Sequence, residues 1–410
     1  MTKIKKTIQP ASFKINAGGT ATAYGGSALP DVVRQRRAKL EASVRPGDIP
    51  SSAEGDLAIK DVRGWMLREP ISKRAYTVIK IQTASGLTGF GECAPLWPAE
   101  YAEAKTIILG KPVTSFDVTA SLLAKCPTAR AALNIAMLDV VGKLCKAPIF
   151  QVLGGPTRHR ARVLAPIMGD TDTALISAMN RAKSAGYMAF KVPITPVVYR
   201  NQGQAYVQSI VKRIEALRAA GGQDVDFVLD GSNLLTPGDA QMISAAIEKY
   251  HLLWFDEPCL PAGLGAFKKI SGGSVTCVGA GKKITEGSEV QDLFREDAVD
   301  IIRPDIGLNG ISQIKKMSTI AEVNYATVGP NHNGGPIGTA ASLHLAASIP
   351  NFFIQEISFP EAQEDQAMRL ALTTVPVEVI KEGFAVLPVG PGLGINVNEQ
   401  SLEKYKEVTL

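Results

Sequence analysis

The chain has 410 residues, with 44 Lys and Arg against 39 Asp and Glu, for a formal charge of +5. Hydrophobic residues make up 45% and charged ones 20%, a balance too apolar for a disordered chain and ordinary for two domains or one large barrel with an appendage. The excess basic residues are scattered in short runs such as Lys5-Lys6 and Arg34 to Arg37, which argues against a nucleic-acid partner.

Residues 1–57 are broken by Gly18-Gly19, Gly25-Gly26, Pro30, Pro46 and Pro50, and only Asp31 to Ser43 reads as helical. They form an N-terminal extension with no assigned role. From Ala58, AIKDVRGWML and RAYTVIKIQTASGLTGFGE read as antiparallel strands, the second pair turned at Ala84-Ser85-Gly86. Residues 103–145 read as helices, with Ala131, Ile135, Leu138 and Val141 on one face. Residues 58–155 are therefore expected to be an α+β unit.

The rhythm then changes. Short apolar runs recur as VLAPIMG (163–169), MAFKVPI (188–194), VDFVLDG (225–231), LLWFDEP (252–258), VTCVGAG (275–281), AVDIIRPD (298–305), ATVGPN (326–331) and FFIQE (352–356). Amphipathic segments such as Thr173–Ala185, Ala205–Ala219 and Ile311–Val323 separate them. Most of these repeats match one strand–helix unit, and continuously apolar strands imply a sheet buried on both faces. The pattern predicts an α/β fold, a (β/α)-type TIM barrel over 156–375, with the α+β unit before it. The tail 376–410, rich in Gly and Pro, is expected to pack back on that unit. A doubly wound open sheet is the competing architecture.

Five cysteines, at 93, 126, 145, 259 and 277, form no C-x-x-C pair, which suits a reducing compartment better than a disulfide framework. No apolar run approaches the length of a membrane span. No signal peptide is evident at the N-terminus, and a cytoplasmic protein with no membrane partner is expected.

In such a barrel, chemistry gathers at the carboxyl ends of the strands. Those ends carry Lys191, Asp230, Glu257, Lys282, Asp305, Asn331-His332 and Glu356. Any one of them has a structural explanation, since Asp or Asn after a strand often caps the next helix. The full set does not, because converging buried charges are costly unless they pair.

Lys191 in FKV, Asp230 in VLDGSN, Glu257 in WFDEP, Asp305 in RPDIGLNGI, His332 in GPNHNGGPIG and Glu356 in FFIQE together resemble the enolase superfamily. Within it they are nearest the mandelate racemase/muconate lactonizing enzyme proteins of the sugar-acid dehydratase branch. GLTGFGECAP, LDVVGKLCKAPIFQVLGG and PGLGINV resemble that family's capping domain and its closure, so the likeness runs over about 58–400. The resemblance implies a lyase or isomerase that removes the proton α to the carboxylate of a small hydroxy acid (an acid sugar). It also implies Mg²⁺ as cofactor, with Asp230 and Glu257 as metal ligands. Lys191 would face the substrate carboxylate and Glu356 would stabilise the intermediate. His332, polarised by Asp305, would be the base. Asn331 and Asn233 are expected to bind substrate, and a homo-oligomer is the expected assembly.

The sequence also departs from that pattern. The family's third metal ligand is a Glu after a Gly, and here the pair is Gly281-Lys282. An ammonium cannot ligate a metal. Either Lys282 replaces the cation, or a decayed site has been filled by a salt bridge. A metal held by two carboxylates and waters is the remaining form of Mg²⁺ binding. The family's Lys-x-Lys reads Lys191-Val192-Pro193, which removes one base and with it two-base racemisation. His332 stands one residue after the position of the family's His, which Asn331 occupies, so it can act only if the backbone has turned. The leading expectation is one-base, dehydratase-like chemistry through His332. Its rival is a catalytically inactive barrel that binds a small acidic ligand, with Lys282 in place of the metal.

Overall fold

The structure, a computed structural model, describes residues 55–198, 201–260 and 264–410. The helix expected over 31–43 and nearly all of the N-terminal extension lie outside the described residues. The described chain opens with an antiparallel sheet of β1 (Ile59–Arg68), β2 (Ala75–Thr83) and β3 (Thr88–Cys93). Gly86 makes the β2–β3 turn at φ +86°, a conformation that costs glycine little. Helices α1 (Pro98–Ile108), α2 (Phe116–Leu122) and α3 (Pro127–Leu144) follow. A proline in the first turn of α1 and of α3 suits a position whose backbone N–H has no helical partner. α3 is buried from Ala129 to Gly142 because one side lies on β3 and the other meets the second unit.

A short helix α4 (Ile149–Val152) leads into strands β4 (Arg160–Pro166), β5 (Ala189–Pro193), β6 (Asp226–Asp230), β7 (Trp254–Asp256), β8 (Val278–Ala280), β9 (Ile301–Ile302), β10 (Thr327–Val328) and β11 (Gln355–Glu356). β4 to β10 pair in parallel in chain order. The ring closes where β11 pairs β4 and where Val328 bridges Phe352, so the sheet is a barrel rather than an open one. The outer helices are α5 (Asp172–Ser184), α6 (Gln204–Gly221), α7 (Pro237–Ile247), α8 (Leu264–Ser271), α9 (Gly287–Arg295), α10 (Ile306–Val323), α11 (Pro336–Ala346) and α12 (Gln363–Leu372). α10 begins five residues before the expected Ile311, because Asp305 caps an extra turn that Gly310 interrupts at φ +66°.

Successive strand residues face opposite ways, and here the two faces fill two separate cores. Leu164, Ala189, Val228, Trp254, Ile301 and Ile354 pack together inside the barrel. Their neighbours Ala165, Phe190, Leu229, Phe255 and Ile302 belong to the larger core that runs under the helices. Each buried Leu, Ile, Val or Phe among them contributes roughly 1.5–3 kcal/mol of transfer free energy. This alternation decides which residues can reach the barrel mouth.

The tail forms a hairpin of β12 (Ile380–Lys381) and β13 (Phe384–Val386), and β13 pairs antiparallel with β4. After helix α13 (Glu399–Tyr405), strand β14 (Lys406–Thr409) pairs antiparallel with β1. Between them, Leu393 donates its backbone N–H to Asp139 on α3 at 2.8 Å, and Phe90 on β3 donates to the same carboxylate at 3.0 Å. No described helix is long and apolar enough to cross a membrane.

Candidate active site

Two positions beyond the apolar barrel floor, the same inward faces carry charge. From Ala189, Val228, Trp254, Ile301 and Ile354, the period of two leads to Lys191, Asp230, Asp256, Arg303 and Glu356. These side chains, with Lys282, make one ion-pair network of three carboxylates and three cations. Lys191 Nζ lies 2.6 Å from Glu356 Oε1 and 3.3 Å from Asp230 Oδ2. Arg303 Nε donates to Asp256 Oδ1 at 3.0 Å, and another guanidinium nitrogen donates to Glu356. Arg303 has no exposed side-chain surface, and its guanidinium lies 4.9 Å from the Trp254 ring centre. Trp254 Nε1 donates to the same Asp256 Oδ1 at 2.9 Å.

Lys282 occupies the middle of the carboxylates. Its Nζ lies 3.3 Å from Asp230 Oδ2 and 2.6 Å from Asp256 Oδ2, the second an ion-pair contact outside hydrogen-bond geometry. Burial works against its charge, but Asp256, Asp230 and Glu356 outweigh it, so its pKa is raised and the group stays an ammonium. Burial likewise opposes the charge of Asp256, while Arg303, Lys282 and Lys191 hold its carboxyl well below the usual range. Glu356 is lowered on the same balance, with Lys191 and Arg303 prevailing over burial.

Glu257, expected as a ligand beside Asp230, is not part of this network. The alternation that turns Trp254 inward turns Asp256 inward and Glu257 outward. Glu257 sits at φ +43°, and its Oε1 accepts the backbone N–H groups of Gly281 and Lys282, each at 2.8 Å. Its carboxylate holds the β8 turn that presents Lys282. Sequence reading named Glu257 and passed over Asp256 and Arg303, which the period of two from Trp254 and Ile301 places in the network.

The residues present do not fit a divalent ion. Among the described residues, no three His, Cys, Asp or Glu side chains are arranged to hold a metal. Asp256 Oδ1 is taken by two donors, Asp256 Oδ2 and Asp230 Oδ2 face Lys282, and Glu257 is turned away. An ammonium among those oxygens brings no lone pair and repels a second cation.

One layer farther out, the inward face of β9 continues from Arg303 to Asp305, and that of β10 leads to Asn331. Asn331 Nδ2 donates to Asp305 Oδ2, and Gly307 N donates to Asp305 Oδ1 at 2.7 Å. Burial raises the Asp305 carboxyl to about 6 against these two donors, with Glu356 adding to the rise. The expected pairing of Asp305 with His332 is not formed. His332 follows Asn331 and faces outward, 1% exposed, with Nε2 2.9 Å from the Gly335 carbonyl oxygen, to which it donates as a neutral ring. Burial lowers its pKa to about 4. The backbone has not turned enough to bring it to the mouth. Asn233, beyond β6, stands at φ +61° beside Ser232 at φ +50°, and its Oδ1 is buried without a hydrogen-bond partner among the described residues.

Residues 61–154 match the mandelate racemase / muconate lactonizing enzyme N-terminal domain, and residues 174–401 match the family described as enolase C-terminal domain-like. Among characterised relatives, the D-xylonate dehydratase of Haloferax volcanii is 24% identical over 87% of this chain and 90% of its own length. The D-mannonate dehydratase of a Caulobacter species is 25% identical over 81% and 91%. Among solved structures, a mandelate racemase/muconate lactonizing enzyme-like protein from Rubrobacter xylanophilus superposes with a TM-score of 0.77 at 22% identity, covering 86% of this chain and 98% of that one.

Proposed function

Because the chain belongs to the enolase superfamily, in its mandelate racemase/muconate lactonizing enzyme group, we propose that it acts on a small hydroxy-carboxylate through a site where the Lys282 ammonium stands in for a divalent ion. The substrate class is that of its relatives, the acid sugars. One observation carries the reading: Lys282 Nζ sits between Asp230 and Asp256, where the family pattern would place a cation. A ligand carboxylate together with its divalent ion brings one net positive charge, and so does an ammonium. The exchange therefore preserves the net charge of the site that a developing enediolate meets. Lys191 and Lys282 would supply charge-assisted donors to the substrate carboxylate, and losing one such preorganised donor costs roughly 10²–10³ in rate.

A second reading, ligand binding without turnover, is favoured by Pro193 and Asn331. These residues occupy the two positions where the family pattern has bases, and neither accepts a proton. Both readings share the metal-free carboxylate site, so binding tests that site first. Calorimetric titration with D-galactonate, D-xylonate and D-mannonate in excess chelator is expected to show saturable binding of at least one acid. Lys282→Met should weaken it at least about tenfold, on the order of one charge-assisted hydrogen bond. Binding that vanishes in chelator and returns with Mg²⁺ would overturn the role given to Lys282.

A further inference from the structure

We propose that the Asp305 carboxylate is itself the acceptor of the substrate α-proton, with Asn331 as its positioning residue. The inference rests on the reading that a small hydroxy-carboxylate occupies the barrel mouth, and it supplies the base which that reading lacks.

The geometry leaves few candidates. Lys282 is held as an ammonium by Asp230 and Asp256, and Lys191 is paired with Glu356 and Asp230. Glu356 and Asp256 are each bound by Arg303 and a lysine, which makes them poor proton acceptors. Glu257 and His332 face away from the mouth, and Pro193 has no titratable group. Asp305 differs from all of these. It lies on the inward face of its strand, one layer outside the cations, and it is only partly buried. Among the described residues no Lys, Arg or His comes within ion-pair distance of it. The charged group facing it is Glu356, a like charge, and its two partners are the neutral donors Asn331 Nδ2 and Gly307 N. A partly desolvated carboxylate without a cation is more basic than an ordinary one, and the direction of its pKa agrees.

The step balances without any further reactant. As the Cα–H bond breaks, the proton goes to an Asp305 oxygen. The bonding pair moves into the bond between Cα and the carboxylate carbon, giving an enediolate that faces the Lys191 and Lys282 ammoniums. Reversal after exchange of the acid proton with solvent returns the substrate with deuterium at Cα.

Asp305 also caps α10, so a capping role alone must be separated from catalysis. Asp305→Asn serves, because Asn is as good an N-cap and keeps an acceptor for Gly307 N. D-galactonate, D-xylonate and D-mannonate are incubated with the protein in D₂O, and loss of the α-proton is followed by NMR, with calorimetry for binding. Wild type is expected to exchange the α-proton of an acid it binds, at a rate that rises with pH through an inflection near 6. Asp305→Asn should lower that rate at least about a hundredfold while Kd changes less than about threefold. Asn331→Ala removes a donor that favours the ionised carboxylate, so it should move the inflection upward, which a merely structural role would not do. Exchange that survives Asp305→Asn, or an inflection unmoved in Asn331→Ala, overturns the proposal. Binding with no exchange in wild type also overturns it and leaves the binding reading standing. Failure to bind any of the acids overturns the site reading itself.

Discussion

Arg303 and Lys282 compensate the same carboxylates, yet their replacement should have opposite consequences. Arg303 is fully enclosed and touches both Asp256 and Glu356, so Arg303→Met leaves three buried carboxylates to two lysines. Breaking a buried pair in this way costs about 3–5 kcal/mol, measurable as a lowered urea midpoint with unchanged slope. Lys282→Glu changes the balance from three carboxylates and three cations to four and two; it frees Asp256 Oδ2 and leaves Asp230 Oδ2 with Lys191 alone. Mg²⁺ should then raise the melting temperature of Lys282→Glu and leave wild type where it was. A variant that folds but gains nothing from Mg²⁺ would mean that these carboxylates are not poised as ligands. Lys191, Asp230, Lys282 and Glu356 were legible in the sequence because each is a charged residue within or just after an apolar strand. Asp256 and Arg303 were not, because each lies beside a more familiar motif residue and only strand phase separates the two.

That phase is a property of elements, and elements were the most legible level. Seven of the eight barrel strands fall within the apolar runs, and β4 overlaps its run but starts three residues earlier, at Arg160, since a strand buried on both faces is written as continuous hydrophobics. Less legible was how closely elements approach one another. α3 lies so near β3 that a Cβ at Gly91 would stand 1.9 Å from the Ala132 carbonyl oxygen, and one at Gly89 would stand 2.1 Å from that of Ala136. Both obstacles are backbone and cannot rotate away. GLTGFGE reads as a strand, but nothing local to it says that a helix will rest on its glycines. Gly91→Ala should therefore cost on the order of 3 kcal/mol by overpacking, read from chemical denaturation. An alanine tolerated within about 0.5 kcal/mol would show that the helix can lift from the sheet at little cost.

At the scale of the whole molecule, the capping sheet and the barrel meet at a buried proton site. Glu92 on β3 accepts the backbone N–H of Gly335, just before α11, and the ring of His332 lies against the same glycine turn. Burial raises the Glu92 carboxyl from 4.5 to about 7 despite the Gly335 donor, and burial lowers His332 from 6.5 to about 4. Between pH 4.5 and 6.5 the unfolded chain therefore carries its proton on His332, and the folded one carries it on Glu92. A raised carboxyl loses stability as pH rises through its folded pKa, whereas a depressed imidazole loses stability as pH falls toward its own. Across this window the two slopes cancel, so the pair contributes almost no pH dependence to wild type. Glu92→Gln keeps an acceptor for Gly335 and removes only the carboxyl contribution. Its stability relative to wild type should then climb by about 3 kcal/mol between pH 4.5 and 7, because other titrating groups drop out of the difference. Urea unfolding of both proteins at a series of pH values measures this directly. A difference that stays flat across that range would mean that Glu92 is ionised when the cap sits on the barrel, and that the interface holds a charge rather than a proton.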